Sequence, residues 1–122
     1  MPPPVGYSHL AEITAGKLIY IAGQVALDAS GNIVGKDDYR AQLEQVFANL
    51  KTALAAVGAS FKNVVKLNYY IVDTVERSQF FAYREVRDKH VDTTNPPVAT
   101  VVVVRGVFLP EFLIEIEATA VV

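Results

Sequence analysis

The hydrophobic pattern of the chain predicts five strands and two helices. Alternating or continuous β-branched residues indicate strands, whereas apolar residues at every third or fourth position indicate helices. The predicted strands cover residues 9–14, 18–24, 64–72, 98–105 and 111–122, and the predicted helices cover about 38–57 and 74–90. The order β-β-α-β-α-β-β predicts an α+β fold with one mixed sheet. Because strand–helix–strand crossovers are right-handed, we expect both helices on one face of that sheet.

The helices are predicted by their apolar stripes and by their capping residues. Asp37 or Asp38 can cap the start of the first helix, and Gly58 can end it in a left-handed conformation. Asp73 with Glu76 has the spacing of a capping box for the second helix. The apolar stripes are Leu43, Val46, Phe47, Leu50, Leu54 and Val57 in the first helix, and Phe80, Tyr83 and Val86 in the second.

The last strand brings two carboxylates close to buried surface. The preceding strand, residues 98–105, is apolar on both faces and therefore needs cover on both. In the last strand, alternation places Ile114 and Ile116 on one face and Glu115 and Glu117 on the other. A carboxylate beside apolar surface can act as a general base, so this strand is where we expect chemistry.

Two helices cover only one face of a sheet, and the other face still carries many apolar residues. Burial of such surface contributes about 25 cal/mol per Å². Large exposed apolar patches usually mark interfaces. We therefore predict a homo-oligomer.

Composition narrows the class of protein. The 122 residues predict a single domain, 1–122, and the net charge of -2 with scattered basic residues argues against a nucleic-acid surface. The sequence has no cysteine, no apolar run long enough for a bilayer and no signal-peptide pattern at its start, so we expect a cytoplasmic protein without membrane contact. His9 and His90 are the only imidazoles, and they form neither a metal-binding motif nor a Ser-His pair.

Several motifs along the chain resemble, in order, those of the RidA (YjgF) family. They include Gly6-Tyr7-Ser8-His9, the strand end Ala22-Gly23-Gln24, and Ile114-Glu115-Ile116-Glu117-Ala118. The resemblance covers nearly the whole chain. It implies a chorismate-mutase-like fold, a homotrimer with clefts between subunits, and hydrolysis of 2-imino or enamino acids to 2-keto acids and ammonia without a cofactor.

The resemblance also assigns site residues and exposes two losses. It implies that Glu115 positions or activates water and that Tyr7 completes the pocket. The family serine before Gly-Gln is Ala22 here, and the arginine that grips the substrate carboxylate is Ala99, followed by Thr100. This chain is thus similar to a divergent member that lacks the deaminase arginine.

The loss of that arginine removes a guanidinium fork, and hydrogen bonds to charged groups contribute roughly 1.5–3 kcal/mol. We hypothesise that Arg84, on the second helix, supplies the missing charge. Asn68 and Tyr70 are further candidates for lining the cleft, although buried polar groups of this kind are more often structural.

Three functions are consistent with these observations to different degrees. The first is a deaminase-type hydrolase of altered specificity, acting on a small carboxylate- or carbonyl-bearing metabolite. The second is a non-catalytic metabolite-binding or regulatory trimer, which the alanines at positions 22 and 99 favour. The third, an endoribonuclease or translation inhibitor, fits poorly because the chain has neither a basic face nor a pair of catalytic histidines.

Overall fold

The chain forms one four-stranded mixed sheet, which the computed structural model describes over residues 1–122. Its strands are β1 (Leu18–Gln24), β2 (Val64–Val72), β3 (Val98–Val104) and β4 (Ile114–Val121), in the spatial order β1-β4-β2-β3. β4 is antiparallel to both of its neighbours, whereas β2 and β3 are parallel. The predicted α+β class with a mixed sheet is confirmed.

The helices are α1 (Tyr39–Ala55), α2 (Arg77–Phe80) and α3 (Ala82–Asp88), with a short 3-10 turn at Phe61–Asn63 before β2. α1 packs on β4 and β1, and α3 packs against α1. The helices thus cover one sheet face, as the crossovers predict. That face holds the main core, in which Leu43, Phe47, Leu67, Ile114 and Ile116 are fully buried.

α1 begins where the sequence provides a cap and turns its apolar stripe to the sheet. The Asp38 carboxylate accepts a hydrogen bond from the Ala41 N–H at 3.0 Å, which confirms one of the two predicted caps. Val57, which the pattern placed on the apolar stripe, lies beyond the end of the helix and is exposed.

A buried glutamine joins α1 to the segment that leads into β4. The Gln42 amide donates to the carbonyl oxygens of Gly35 at 3.0 Å and Glu111 at 2.9 Å, and its oxygen accepts from the Leu113 N–H at 2.8 Å. Both of its N–H donors and its oxygen are therefore engaged inside the protein. This contact fixes the register at which β4, and with it Glu115, enters the sheet.

Three local features differ from the sequence prediction. Residues 9–14 form no strand, because they run along the exterior without a neighbouring strand to pair with. The predicted second helix is broken at Phe81, and Glu76 caps it without a side-chain hydrogen bond. A bulge in β2 between Val64 and Lys66 interrupts the alternation expected of a regular strand, and Val64 rather than Val65 is buried.

The break at Phe81 has a visible cause. The Tyr39 hydroxyl donates to the Phe80 carbonyl at 2.9 Å, and the Arg84 N–H bonds the Phe81 carbonyl instead. A carbonyl that would continue the helix ladder is thus used by a side chain from α1. None of the helices is both long and apolar enough to cross a membrane.

Candidate functional site

The sheet face turned away from the helices is a mixed polar and apolar surface. Asn68, Tyr70, Glu115 and Glu117 lie at its centre, because the alternation of β2 and β4 directs these side chains away from the core. Tyr20 is 78% exposed at one edge. A groove of about 640 Å³ runs over this face, lined by Tyr20, Ile21, Ala22, Lys66, Asn68, Glu117, Ala118 and Thr119.

The uncovered face is more polar than its sequence pattern suggested. Lys66 and Thr119 are cross-strand neighbours, as are Asn68 and Glu117. At the far end of the face, a second small apolar cluster of Val72, Val107 and Phe112 covers part of the sheet. The exposed apolar side chains lie mainly toward the two sheet edges, including Tyr20 and Val102.

Glu117 belongs to a hydrogen-bonded network. The Tyr70 hydroxyl donates to its Oε1 at 2.7 Å, and the Asn68 amide donates to the same oxygen at 3.0 Å. These two hydrogen bonds, the one from Tyr70 first, together with the nearby charge of Lys66, lower the pKa of Glu117. The same bond raises the pKa of Tyr70. A carboxylate stabilised in this way is a weak base, so Glu117 is better suited to organising the face than to taking a proton.

Glu115 is two residues away and has a different environment. It lies opposite Tyr70 in the register, but the Tyr70 hydroxyl is turned to Glu117. The side chain of Glu115 packs instead against Gly23, where a Cβ atom would lie 2.7 Å from its carboxyl carbon. An irregularity of β1 between Ile21 and Gln24 places this glycine there. Glu115 is therefore the carboxylate of this face that is free to bind water or a ligand.

Tyr7 lies at the opposite edge of the sheet. Ser8 forms an isolated parallel bridge with Val98, and its N–H donates to the Pro97 carbonyl at 3.0 Å. The Tyr7 ring contacts the edge of His9, with 5.4 Å between ring centroids. Three strand spacings, or roughly 14 Å, thus separate this segment from β4. One chain does not bring Tyr7 and Glu115 together.

The other predicted residues divide between the two faces. Ala22, Asn68 and Thr100 lie on the uncovered face, where Asn68 is paired with Thr100 across β2 and β3. Ala99 points to the helix-covered face and packs against the main core. Arg84 also lies on the helix side, with its guanidinium 4.5 Å from the Phe81 ring. The structure therefore places Arg84 and Glu115 on opposite sides of the sheet within one chain.

Sequence reasoning missed one charged residue, Arg87. It is only 5% exposed, and Nε donates to the Asp88 carboxylate at 2.8 Å. Its guanidinium lies against Gly6, directly before Tyr7. The signal was present in the sequence: position 87 follows Tyr83 by four residues and Phe80 by seven, and so falls on the apolar stripe of the helix.

No group of three or more His, Cys, Asp or Glu side chains is arranged to hold a metal ion. His90 stacks on the Phe47 ring with 5.2 Å between centroids, and burial lowers its pKa. His9 instead lies on the exterior, with its Nε2 at 2.7 Å from the Pro2 carbonyl. The two imidazoles are thus engaged in separate local contacts.

Comparisons with known proteins find matches along the whole chain. A family model described as Endoribonuclease L-PSP matches residues 1–122. A RutC family protein of Pyrococcus horikoshii is 36% identical over 121 residues, which are 98% of this chain and 90% of that protein. The crystal structure of a protein of unknown function of the conserved Rid protein family from Yersinia pestis has a TM-score of 0.85 at 38% identity, covering 96% of this chain and 87% of that chain.

Another match covers less of the chain and is to a protein whose name states an activity. A 2-iminobutanoate/2-iminopropanoate deaminase of Dermatophagoides farinae is 32% identical over 71 residues, which are 57% of this chain and 54% of that protein.

Proposed function

The chain belongs to the RidA (YjgF) family, and from that premise we propose that it hydrolyses small 2-imino or enamino acids to 2-keto acids and ammonia. The reaction takes place in clefts between the subunits of a homotrimer. The related mite protein, whose name is 2-iminobutanoate/2-iminopropanoate deaminase, supports this substrate class.

The observation that carries the proposal is the contrast between Glu115 and Glu117. Both carboxylates lie on the uncovered face, but Glu117 is held by Tyr70 and Asn68, whereas Glu115 packs on Gly23 and makes no hydrogen bond within the chain. A general base needs a free oxygen within hydrogen-bond reach of the proton it takes. Glu115 meets that requirement.

The chemistry needs one base and a means to orient the substrate. Glu115 takes a proton from a water molecule as the water oxygen bonds to the imine carbon, and the C=N π pair becomes a nitrogen lone pair. That proton passes to nitrogen and gives a carbinolamine, which carries one OH group and one NH₂ group. Glu115 then moves the hydroxyl proton to nitrogen, the oxygen lone pair forms the C=O bond as the C–N bond breaks, and ammonia leaves the 2-keto acid. Tyr7 orients the substrate, and an arginine of the helical layer meets its carboxylate.

The trimer is part of the proposal because one chain leaves the site incomplete. Tyr7 lies far from Glu115, beside the edge strand β3, and the helical layer lies on the other face of the sheet. A neighbouring copy docked on the uncovered face can bring its own Tyr7 and helical arginine to Glu115. The exposed Tyr20 and Val102 side chains would gain cover in such an assembly.

The test is an imine-hydrolysis assay with two matched variants. 2-Iminopropanoate is generated in situ from alanine by an amino-acid oxidase, and release of the keto acid is followed against the uncatalysed rate. We expect acceleration by the wild type and a loss of roughly 100-fold or more in Glu115→Gln, since general-base catalysis contributes about that much. Glu117→Gln should retain most of the activity, because its carboxylate is already engaged by Tyr70 and Asn68.

Equal rates for the wild type and Glu115→Gln would refute the catalytic proposal. A metabolite-binding trimer is then the second candidate, which the alanines at positions 22 and 99 favour because neither offers a polar group to a substrate. Nuclease activity is not proposed, despite the description of the family model. The two carboxylates of the uncovered face would repel a phosphate backbone.

A further inference from the structure

Arg87 is a nearly enclosed cation with most of its donors unused. Its side chain is 6% exposed, and its one hydrogen bond within the chain runs from Nε to the Asp88 carboxylate. A guanidinium carries five N–H donors, so the four on Nη1 and Nη2 have no acceptor in the chain. Nη1 and Nη2 keep contact with solvent, although the side chain as a whole is buried. This unpaired end of the guanidinium is therefore open to a ligand with hydrogen-bond acceptors.

The neighbouring groups specify the charge of that ligand. The Tyr69 hydroxyl is buried and has no hydrogen-bond partner. Burial raises the pKa of Tyr69, so its hydroxyl keeps its proton and can donate. The Tyr83 ring contacts both side chains. Its centroid lies 5.1 Å from that of the Tyr69 ring and 5.9 Å from the Arg87 guanidinium carbon. Arg87 and Tyr69 thus both carry hydrogen-bond donors that have no acceptor in the chain. Such surroundings favour an anionic ligand with several acceptor atoms.

The position of Gly6 connects Arg87 to the candidate site. Gly6 has φ +73°, and a Cβ atom there would lie 2.0 Å from Nη2 of Arg87. Only a residue without a side chain lets the backbone lie this close to the guanidinium. Ser8 fixes the same segment through its hydrogen bonds to Pro96 and Pro97. A ligand at Arg87 would thus lie beside Tyr7.

We propose that Arg87 binds the carboxylate of a small metabolite through Nη1 and Nη2. A planar carboxylate matches the guanidinium fork with two parallel hydrogen bonds. The proposal rests on the proposed function in taking a 2-keto or 2-imino acid as the ligand. It gives the role of carboxylate anchor to Arg87 rather than to Arg84.

Arg84 is the natural control because it lies on the same helix and differs in its contacts. Its guanidinium stacks over the exposed ring of Phe81, and its buried Nε has no partner. Stacking on an aromatic ring is a common use of a surface arginine and needs no ligand. The guanidinium of Arg87 has no comparable close stacking partner, since the Tyr83 ring is 5.9 Å away.

Calorimetric titration with 2-oxobutanoate tests the proposal without requiring turnover. This keto acid is the hydrolysis product of a 2-iminobutanoate. We expect Arg87→Met to weaken binding roughly 10- to 100-fold, because it removes charged hydrogen bonds, and Arg87→Lys to weaken it as well, because an ammonium lacks the fork. Arg84→Met should bind within about twofold of the wild type. In the wild type, the side-chain ¹⁵N resonances of Arg87 should shift on addition of the ligand.

A pair of glycine variants keeps the test decisive if Arg87→Met does not fold. Gly6→Ala places a methyl group on the guanidinium, whereas Gly31→Ala adds the same methyl group at φ +80° with nothing within 4 Å. Both carry similar backbone strain, so only Gly6→Ala should weaken 2-oxobutanoate binding.

Unchanged affinity in Arg87→Met, or no binding of 2-oxobutanoate to the wild type, would overturn the proposal. So would a change in sedimentation with intact ligand binding, since Arg87 would then pair with an acidic side chain of a neighbouring copy. Imine hydrolysis that is insensitive to Arg87→Met would refute the role of Arg87 and leave the proposed function standing. Binding of 2-oxobutanoate through Arg87 without any imine hydrolysis would support the role of Arg87 and refute the proposed function.

Discussion

Glu115 and Glu117 share one face of one strand, but their neighbours give them different chemistry. The alternation of β4 predicts that both carboxylates lie on the same face, and the structure confirms it. Their hydrogen bonds were not predictable, because Tyr70 lies directly opposite Glu115 and yet donates to Glu117. Which carboxylate is free depends on side-chain rotation, and a residue pattern does not encode that.

The network around Glu117 makes a prediction about its titration. In Tyr70→Phe the hydroxyl donor is lost, so the pKa of Glu117 should rise toward its ordinary value of 4.5. Asn68→Ala should raise it less, because the bond from Tyr70 has the larger effect. A ¹³C NMR titration of the glutamate carboxyl groups measures both changes.

The sign of the effect on stability follows from the same shift. A lowered pKa in the folded state stabilises the fold above the ordinary value of 4.5, and this contribution is lost as pH falls through the folded-state pKa. Tyr70→Phe should therefore be less sensitive to acid than the wild type in that window. An unchanged pKa of Glu117 in Tyr70→Phe would show that the network does not stabilise the carboxylate.

At the scale of secondary-structure elements, strands and helices with a regular apolar pattern were predicted correctly. Errors arose where a side chain from another element competes for a backbone hydrogen bond. β1 and β2 have the bounds that their β-branched residues predict. The second helix has a correct apolar stripe, but the contact of Tyr39 with the Phe80 carbonyl divides it. Arg87 was missed because a charged residue on an apolar stripe was not expected to be buried, although its spacing placed it there.

Gln42 connects α1 to the segment before β4 by hydrogen bonds, so we expect Gln42→Ala to lose much of the stability of the fold. That change leaves the Leu113 N–H and two carbonyls without their partner in a buried region, which should cost roughly 2–4 kcal/mol. Gln45→Ala is the matched control on the same helix, because Gln45 bonds only Asn49 and should cost under about 1 kcal/mol. Urea unfolding at fixed protein concentration measures both.

Similar stability of Gln42→Ala and Gln45→Ala would show that the hydrogen bonds of Gln42 do not fix the register of β4. The glutamine could not be assigned this role from sequence. Two of its three partners lie 69 and 71 residues away in the chain and become neighbours only when the sheet has formed.

For the whole molecule, the sequence predicted one uncovered sheet face and an assembly to cover it. The structure has such a face, and it is polar at its centre and apolar toward its edges. Tyr7 and Glu115 were expected to share a pocket, but in one chain Tyr7 lies beside the edge strand β3 and Glu115 lies on the interior strand β4. The family resemblance was enough to give these residues their expected roles. Their separation within one subunit follows from the order of the strands in the sheet, which the sequence alone did not predict.

Subunit complementation tests the central claim most directly. Glu115→Gln and Tyr7→Phe are each expected to be inactive in imine hydrolysis, and the two are unfolded, mixed in equal amounts and refolded together. If each cleft takes Glu115 from one copy and Tyr7 from the next, random assembly gives both intact residues in about a quarter of all clefts of the refolded population. Recovery to roughly that fraction of wild-type activity is therefore expected. Mixed assemblies that remain as inactive as either variant alone would contradict it.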